Sequence, residues 1–293
     1  MKAPKKATLE GCYTKLARAE QLIQELDRMN RRFFRRHTPV AEIVKHPTTG
    51  RQRLIATNVK APPVAHSIVV GDVLYNLRSC LDHLVHQLIL AHTGKEPTYR
   101  TYEFPVFVTE KKFDDNINRL LRDVSPDGVR RVRQVQPFTF ARPNDTALYA
   151  LNELGLVDKH RVPLLAVIRG RVSAMTAEDG NTSILWAGGG HDGLVEDGAV
   201  LATFDSRVSP KMKLNAIAAF DMALADGPHD LPATRFLSMI RRVVAQMLDH
   251  VGGAINPAEV AVERQKREER IGRMARVPRP RPKKRRRGPK KKP

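Results

Sequence analysis

The sequence predicts an α+β fold: a helical half, then a small antiparallel sheet, closed by one returning helix. Three observations predict it. From about residue 8 to 162, apolar side chains recur at three- and four-residue steps, broken by one β-branched hairpin signal near 40–59. From about 163 to 225 the texture changes to short apolar runs divided by Gly, Asp and Asn, the pattern of antiparallel strands. Over 232–251 the helical period returns. A single domain is expected over 1–252, with 253–275 as a helical extension and 276–293 as a disordered basic tail.

The elements follow in order. Thr8 to Arg36 reads as one long helix, because Leu9, Tyr13, Leu16, Ile23 and Leu26 share a face and Thr8 can cap its start. "VAEIVKHPTTGRQRLIATNV" sets two β-branched runs around a Pro-Thr-Thr-Gly turn, a hairpin. Pro62-Pro63 closes it and leads into a second helix, roughly Val64 to Ala91, with Gly94 as its stop. After the extended piece "YEFPVFV", a helix is expected near Glu110–Asp123. The next begins at Ser125-Pro126-Asp127, with proline at the first helical position, and stops at Pro137. A fifth starts at Asn144 or Asp145 and runs to about Asp158. "RVPLLAVIRGRVSAM", "TSILWAGG", "GAVLATF" and "KLNAIAAFD" supply the strands. The closing helix spans Pro232–Val251, and "PAEVAVERQKREERIGRMAR" continues helically out of the core. The remaining Pro/Arg/Lys tract has too little apolar surface to order itself.

Composition bounds the function. With 293 residues, 41% of them hydrophobic, the chain can bury a sizeable core. No apolar run reaches about 18 residues, so no membrane span is expected. "MKAPKKATLEGCY" lacks the apolar stretch of a secretory signal, and Cys12 and Cys80 are too few for a disulfide framework. A cytoplasmic location is the expectation. Charge is the strongest feature, a net +20. Residues 276–293 hold eleven basic side chains and no acid, and "RMNRRFFRR" packs five arginines into nine positions. Such a chain attracts polyanions, nucleic acid before anionic membrane. The tail, with Lys283, Lys284, Arg285, Arg286 and Arg287 at its centre, is expected to grip phosphates without reading bases, since no aromatic residue interleaves with it.

The second helix carries the densest chemistry, "LRSCLDHLVHQL". On a helical wheel, Leu74, Leu77, Leu81, Leu84 and Leu88 form one apolar stripe. Arg78, Asp82 and His86 step along a flank beside Tyr75, and His83 falls about 140° from Arg78. Two readings stay open. In one, Asp82 bridges Arg78 and His86 in a surface ladder worth only about a few tenths of a kcal/mol per pair. In the other, Arg78, His83 and Asp82 are a catalytic set. At "VDKHR", Lys159, His160 and Arg161 either complement the helix macrodipole or join the Arg78 set in gripping nucleic acid. No metal or cofactor is expected: no HExxH occurs, and "WAGGGHDGLVEDG" lacks both GxGxxG and GK[ST].

Arg78-Ser79-Cys80-Leu81-Asp82-His83 resembles the R-x4-6-H signature of the HEPN superfamily, helical proteins that include many metal-independent ribonucleases. "NLRSCLDHLVHQL", "VRQVQPF" and "LNELGLVDKHRVPLL" together resemble a group of uncharacterised bacterial and phage proteins, over about Gly71 to Leu165. That group shares a helix like "NLRSALDHL" and a later "DKHR". The HEPN resemblance implies a HEPN-like bundle and RNA cleavage in which His83 moves protons and Arg78 holds phosphate charge. It also implies a homodimer that collects both residues from two copies of the helix. The face bearing Arg78, Asp82 and His86 is expected to make that contact. Ser79 departs from the strong polar residue that often follows the arginine in active members. The expected function is thus nucleic-acid binding, to RNA or DNA, with a ribonuclease as one branch. The other branch is a non-catalytic nucleic-acid-associated protein, or a phage structural or interaction protein.

Overall fold

The computed structural model describes residues 6–45, 48, 52–97, 102–160, 166–178, 183–186, 192–204, 213–225, 227 and 231–275. Helix and strand are mixed, with helix the larger share. The helices are α1 (Glu10–Arg36), α2 (Val64–Thr93), α3 (Glu110–Leu120), α4 (Pro126–Gln134), α5 (Ala147–His160), α6 (Ala233–Gly252) and α7 (Pro257–Ala275). The strands are β1 (Val40–Lys45), β2 (Gln52–Thr57), β3 (Ala166–Glu178), β4 (Ser183–Trp186), β5 (Asp192–Leu194), β6 (Val200–Phe204) and β7 (Lys213–Leu224).

The helical body is built around α2. Its leucine stripe is buried as expected, each residue at most 2% exposed, but Val73, Cys80, Val85 and Ile89 on other faces are buried too. A helix apolar on most of its surface belongs in the middle of a bundle. It packs against α1, α5 and α6. The pairing with α1 is antiparallel: Thr8 donates its backbone N–H to Gln87, the Cys80 thiol donates to the Cys12 carbonyl, and Lys15 lies over the Tyr75 ring. Helix α6 also runs antiparallel to α1, tied by the Tyr13 hydroxyl to Asp249 and by Arg241 to Glu20. Gly94 ends α2 in the left-handed region, at φ 68°, where its N–H reaches the Leu90 carbonyl.

Several boundaries follow the expected capping chemistry, and others shift for identifiable reasons. The Ser125 hydroxyl accepts the Gly128 N–H and starts α4 at Pro126. Prolines at 137 and 143 each begin a short 3-10 turn, Pro137–Thr139 and Pro143–Asp145, so α4 stops at Gln134 and α5 starts at Ala147.

The strand region corrects the expected layout in one respect. The β1–β2 hairpin is not a separate appendage. It takes β6 as a third antiparallel strand, with Gln52 opposite Phe204. A second antiparallel sheet centres on β3, with β7 along one edge and β4 and β5 sharing the other. Leu54, Ala56, Ile168, Leu201 and Met222 bury into one apolar cluster common to both sheets. Phe33 near the end of α1 joins that cluster, whereas Leu9 to Leu26 lie in the helical core. A helix 27 residues and about 40 Å long therefore links the two cores.

The second correction concerns α7. It forms, but its start packs back instead of leaving the core. Val260 is 6% exposed within the helical core, and Arg267 reaches Asp249 of α6 at 2.5 Å. The structural unit therefore runs past residue 252. Among the described residues, no helix is long and apolar enough to cross a membrane. The tail expected to be disordered, 276–293, lies outside the described residues.

Candidate nucleic-acid interface

The constellation on α2 touches a separate segment of the chain, residues 102–107. These residues join neither helix nor sheet, so their backbone groups need partners elsewhere. Side chains supply them. Asp82 Oδ1 accepts the Phe104 N–H at 2.9 Å, and Arg78 Nη2 donates to the Phe104 carbonyl at 2.7 Å. Gln136, fully buried, donates to the Pro105 carbonyl at 2.9 Å and accepts the Phe107 N–H at 3.1 Å. Helix α2 and Gln136 thus stand in for the neighbouring strands of a sheet.

Arg78 is deeply committed. Its side chain is 14% exposed and lies 3.4 Å from Asp82 and 3.8 Å from Glu103. Its Nη1 reaches Asn152 of α5 at 3.5 Å. The first rung of the ladder expected from the sequence is present. His86, however, pairs its Nε2 with Glu96 at 2.7 Å and stacks obliquely on Tyr102. The flank of Arg78, Asp82 and His86 is therefore largely covered by Glu96 and residues 102–104 of the same chain, which occupy the face expected to meet a second copy.

His83 stands elsewhere. It is exposed beside α1, where its Nδ1 lies 3.8 Å from the place a Cβ on Gly11 would take. Partial burial first, then the charge of Lys15 and the nearby His86, hold its pKa below the ordinary 6.5, against the opposing pull of Asp82. Within one chain, Arg78 turns toward residues 103–104 and α5 while His83 turns toward α1. The structure does not bring them together.

The remaining expected site residues divide. Lys159 and His160 lie on the last turn of α5, about 12 Å along the helix from the Asn152 that meets Arg78. Arg161 and the tail residues Lys283, Lys284, Arg285, Arg286 and Arg287 lie outside the described residues. Among the described residues, no group of three or more His, Cys, Asp and Glu could hold a metal ion. Both cysteines are poor nucleophiles: burial, helped by the charge of Glu259, pushes the Cys12 thiol up to about 12, and burial also raises Cys80.

The feature the sequence displayed but did not place among its site residues is the end of α1. Arg28, Arg31, Arg32, Arg35 and Arg36 are all exposed. They occupy an arc of about 140° on the helix, opposite the buried Ala19, Leu22, Leu26 and Phe33. Arg31 pairs with Asp27 at 2.7 Å. The geometry explains why five arginines cluster at little cost. They share the outer surface of a helix whose inner surface is fixed in both cores. Guanidinium groups in such a row present planar, always-charged forks suited to phosphate oxygens.

No protein-family model matches this chain, and neither a curated protein nor a solved structure matches it.

Proposed function

We propose that this chain is a nucleic-acid-binding protein that grips the phosphate backbone through the arginine row of α1, assisted by its basic tail. Arg78 and Asp82 in this reading hold the fold and do not cut RNA. The observation that carries the first part is the exposed row from Arg28 to Arg36 on a chain of net charge +20. Contacts of this kind supply affinity and leave sequence unread. The second part rests on Arg78 being spent on the Phe104 carbonyl, Asp82 and Asn152, with His83 on another side of the same helix.

Two measurements test it. Arg28→Ala/Arg32→Ala/Arg35→Ala should weaken binding to duplexes of unrelated sequence alike, by at least about tenfold at moderate salt. Incubation of single-stranded RNA with the protein in EDTA should leave it intact. Cleavage to 2′,3′-cyclic phosphate ends, abolished in a folded His83→Ala variant, would restore the ribonuclease reading, since a histidine and an arginine need no metal.

A further inference from the structure

A cleft of about 600 Å³ opens between the end of α4, the two 3-10 turns, the start of α5 and the last turns of α6. Its floor is apolar, formed by Leu148, Val243 and Met247 among others. At its edge Phe140 is 56% exposed, although its neighbour Phe138 packs against Phe113. A large aromatic ring left in solvent beside an apolar cleft is an unsatisfied surface. The polar groups of the lining are few. His250 Nε2 lies 2.9 Å from Gln134 Oε1, so that nitrogen carries the hydrogen and Nδ1 is left to accept. Gln134 and the exposed Gln246 also line the cleft, each with an amide that donates and accepts.

The local charge favours an anion nearby. Arg142 lines the mouth with its side chain 85% exposed, and Arg130 and Arg131 lie behind, against the two carboxylates Asp127 and Asp145. Burial and the charges of Arg131 and Arg130 hold His250 below its ordinary pKa, so the imidazole is neutral near pH 7 and can accept as well as donate.

We propose that this cleft receives an unstacked base of a single-stranded nucleic acid, with Phe140 as the stacking surface and Gln134, His250 and Gln246 on the base edge. The volume suits a small flat ligand, within the range of about 300–1,000 Å³ usual for such pockets. Stacking on an aromatic ring beside arginines is the general way single strands are held. The inference rests on the nucleic-acid reading above and adds a base contact to it. The cleft stands beside the residues of α6 that face Tyr13 and Glu20, whereas the arginine row begins at Arg28. The distance between them along α1 is roughly 12–22 Å, which one strand can span.

The test compares binding of two oligonucleotides of about 12 nucleotides, one of deoxyadenosine and one abasic throughout, carrying the same phosphates. Wild type should prefer the base-bearing strand by about tenfold. Phe140→Ala should erase that preference by weakening the base-bearing strand alone, and Phe140→Tyr should restore it. Phe140 is exposed, so neither variant threatens the core. Equal affinity of wild type for both strands, or an equal loss on both in Phe140→Ala, overturns the base site and leaves the phosphate reading standing. Failure to bind either strand overturns both.

Discussion

Phe104 gives its backbone N–H to one side chain of α2 and its carbonyl to another, one turn apart on that helix. Two charged groups are used here where a sheet would use two peptide groups. A hydrogen bond to a charged partner contributes about 1.5–3 kcal/mol, and removing one member of a mostly buried pair leaves the other unpaired. Arg78→Ala should therefore cost about 2–4 kcal/mol of stability. Arg78→Lys should recover only part of that, because an ammonium cannot reach the carbonyl and the carboxylate as a planar fork does. Urea denaturation of both variants, with Asp82→Ala and the double variant, checks this. The losses should be far from additive. A catalytic Arg78 would instead leave stability nearly unchanged.

The same scale shows what the sequence could not display. Three separate stretches of sequence contribute Arg78 and Asp82, Gln136, and Asn152: the first three hold residues 104–107, and Asn152 meets Arg78. Spacing placed Arg78 and Asp82 on one flank correctly. It gave no sign that their partner would be a stretch of backbone, since a peptide group carries no sequence signal. Titration at single residues makes a second prediction. His83 and His250 both have folded pKa values below the ordinary 6.5, with burial the first cause of each. Their contribution to stability is thus fully present above about pH 6.5 and declines as pH falls toward their lower folded values. Stability measured from pH 7.5 to 5 should fall, and less steeply in His83→Gln/His250→Gln. An unchanged slope in that variant would contradict the assignment.

Among the elements, α7 departs furthest from expectation. Glu259 reaches the start of α1, where its Oε1 accepts the Leu9 N–H at 2.9 Å and the Thr8 hydroxyl at 3.1 Å. The Thr8 hydroxyl in turn accepts the Glu10 N–H. A carboxylate at a helix N-terminus satisfies free donors and meets the positive end of the dipole. The start of α1 was legible to within a residue, although Leu9 and not Thr8 takes the cap position. The role of Glu259 was not, because 250 residues separate it from Leu9. Chain distance likewise hid the addition of β6 to the hairpin. Glu259→Ala should destabilise the protein by about 1–2 kcal/mol, as the loss of a good cap does. Amide exchange should accelerate first at Leu9 and Glu10. Acceleration confined to α7, with the first turn of α1 unchanged, would contradict this cap.

At the scale of the whole molecule, the division into a helical half and a strand-rich part was legible from periodicity alone. The long α1 was legible too, but its double membership was not: Leu26 and Phe33 lie on one side of the helix, and they enter different cores. That arrangement holds the arginine row rigidly at the junction of the two cores. The tail should behave differently. Deletion of 276–293 should reduce affinity for every polyanion while changing folding stability by no more than about 0.5 kcal/mol, because the segment has no apolar side chain beyond Val277 to bury. A fall in stability beyond that would show the tail packed on the fold.

The central claim is that the α1 row is a phosphate-contact surface, and the salt dependence of duplex binding tests it most directly. The slope of log K against log salt should flatten by about 0.9 for each of Arg28, Arg32 and Arg35 replaced by alanine. Wild type and the triple variant should then differ by about 2.7, with the tail present in both. Equal slopes for the two proteins would contradict the account, because phosphate contacts cannot be lost without a change in the counterions released.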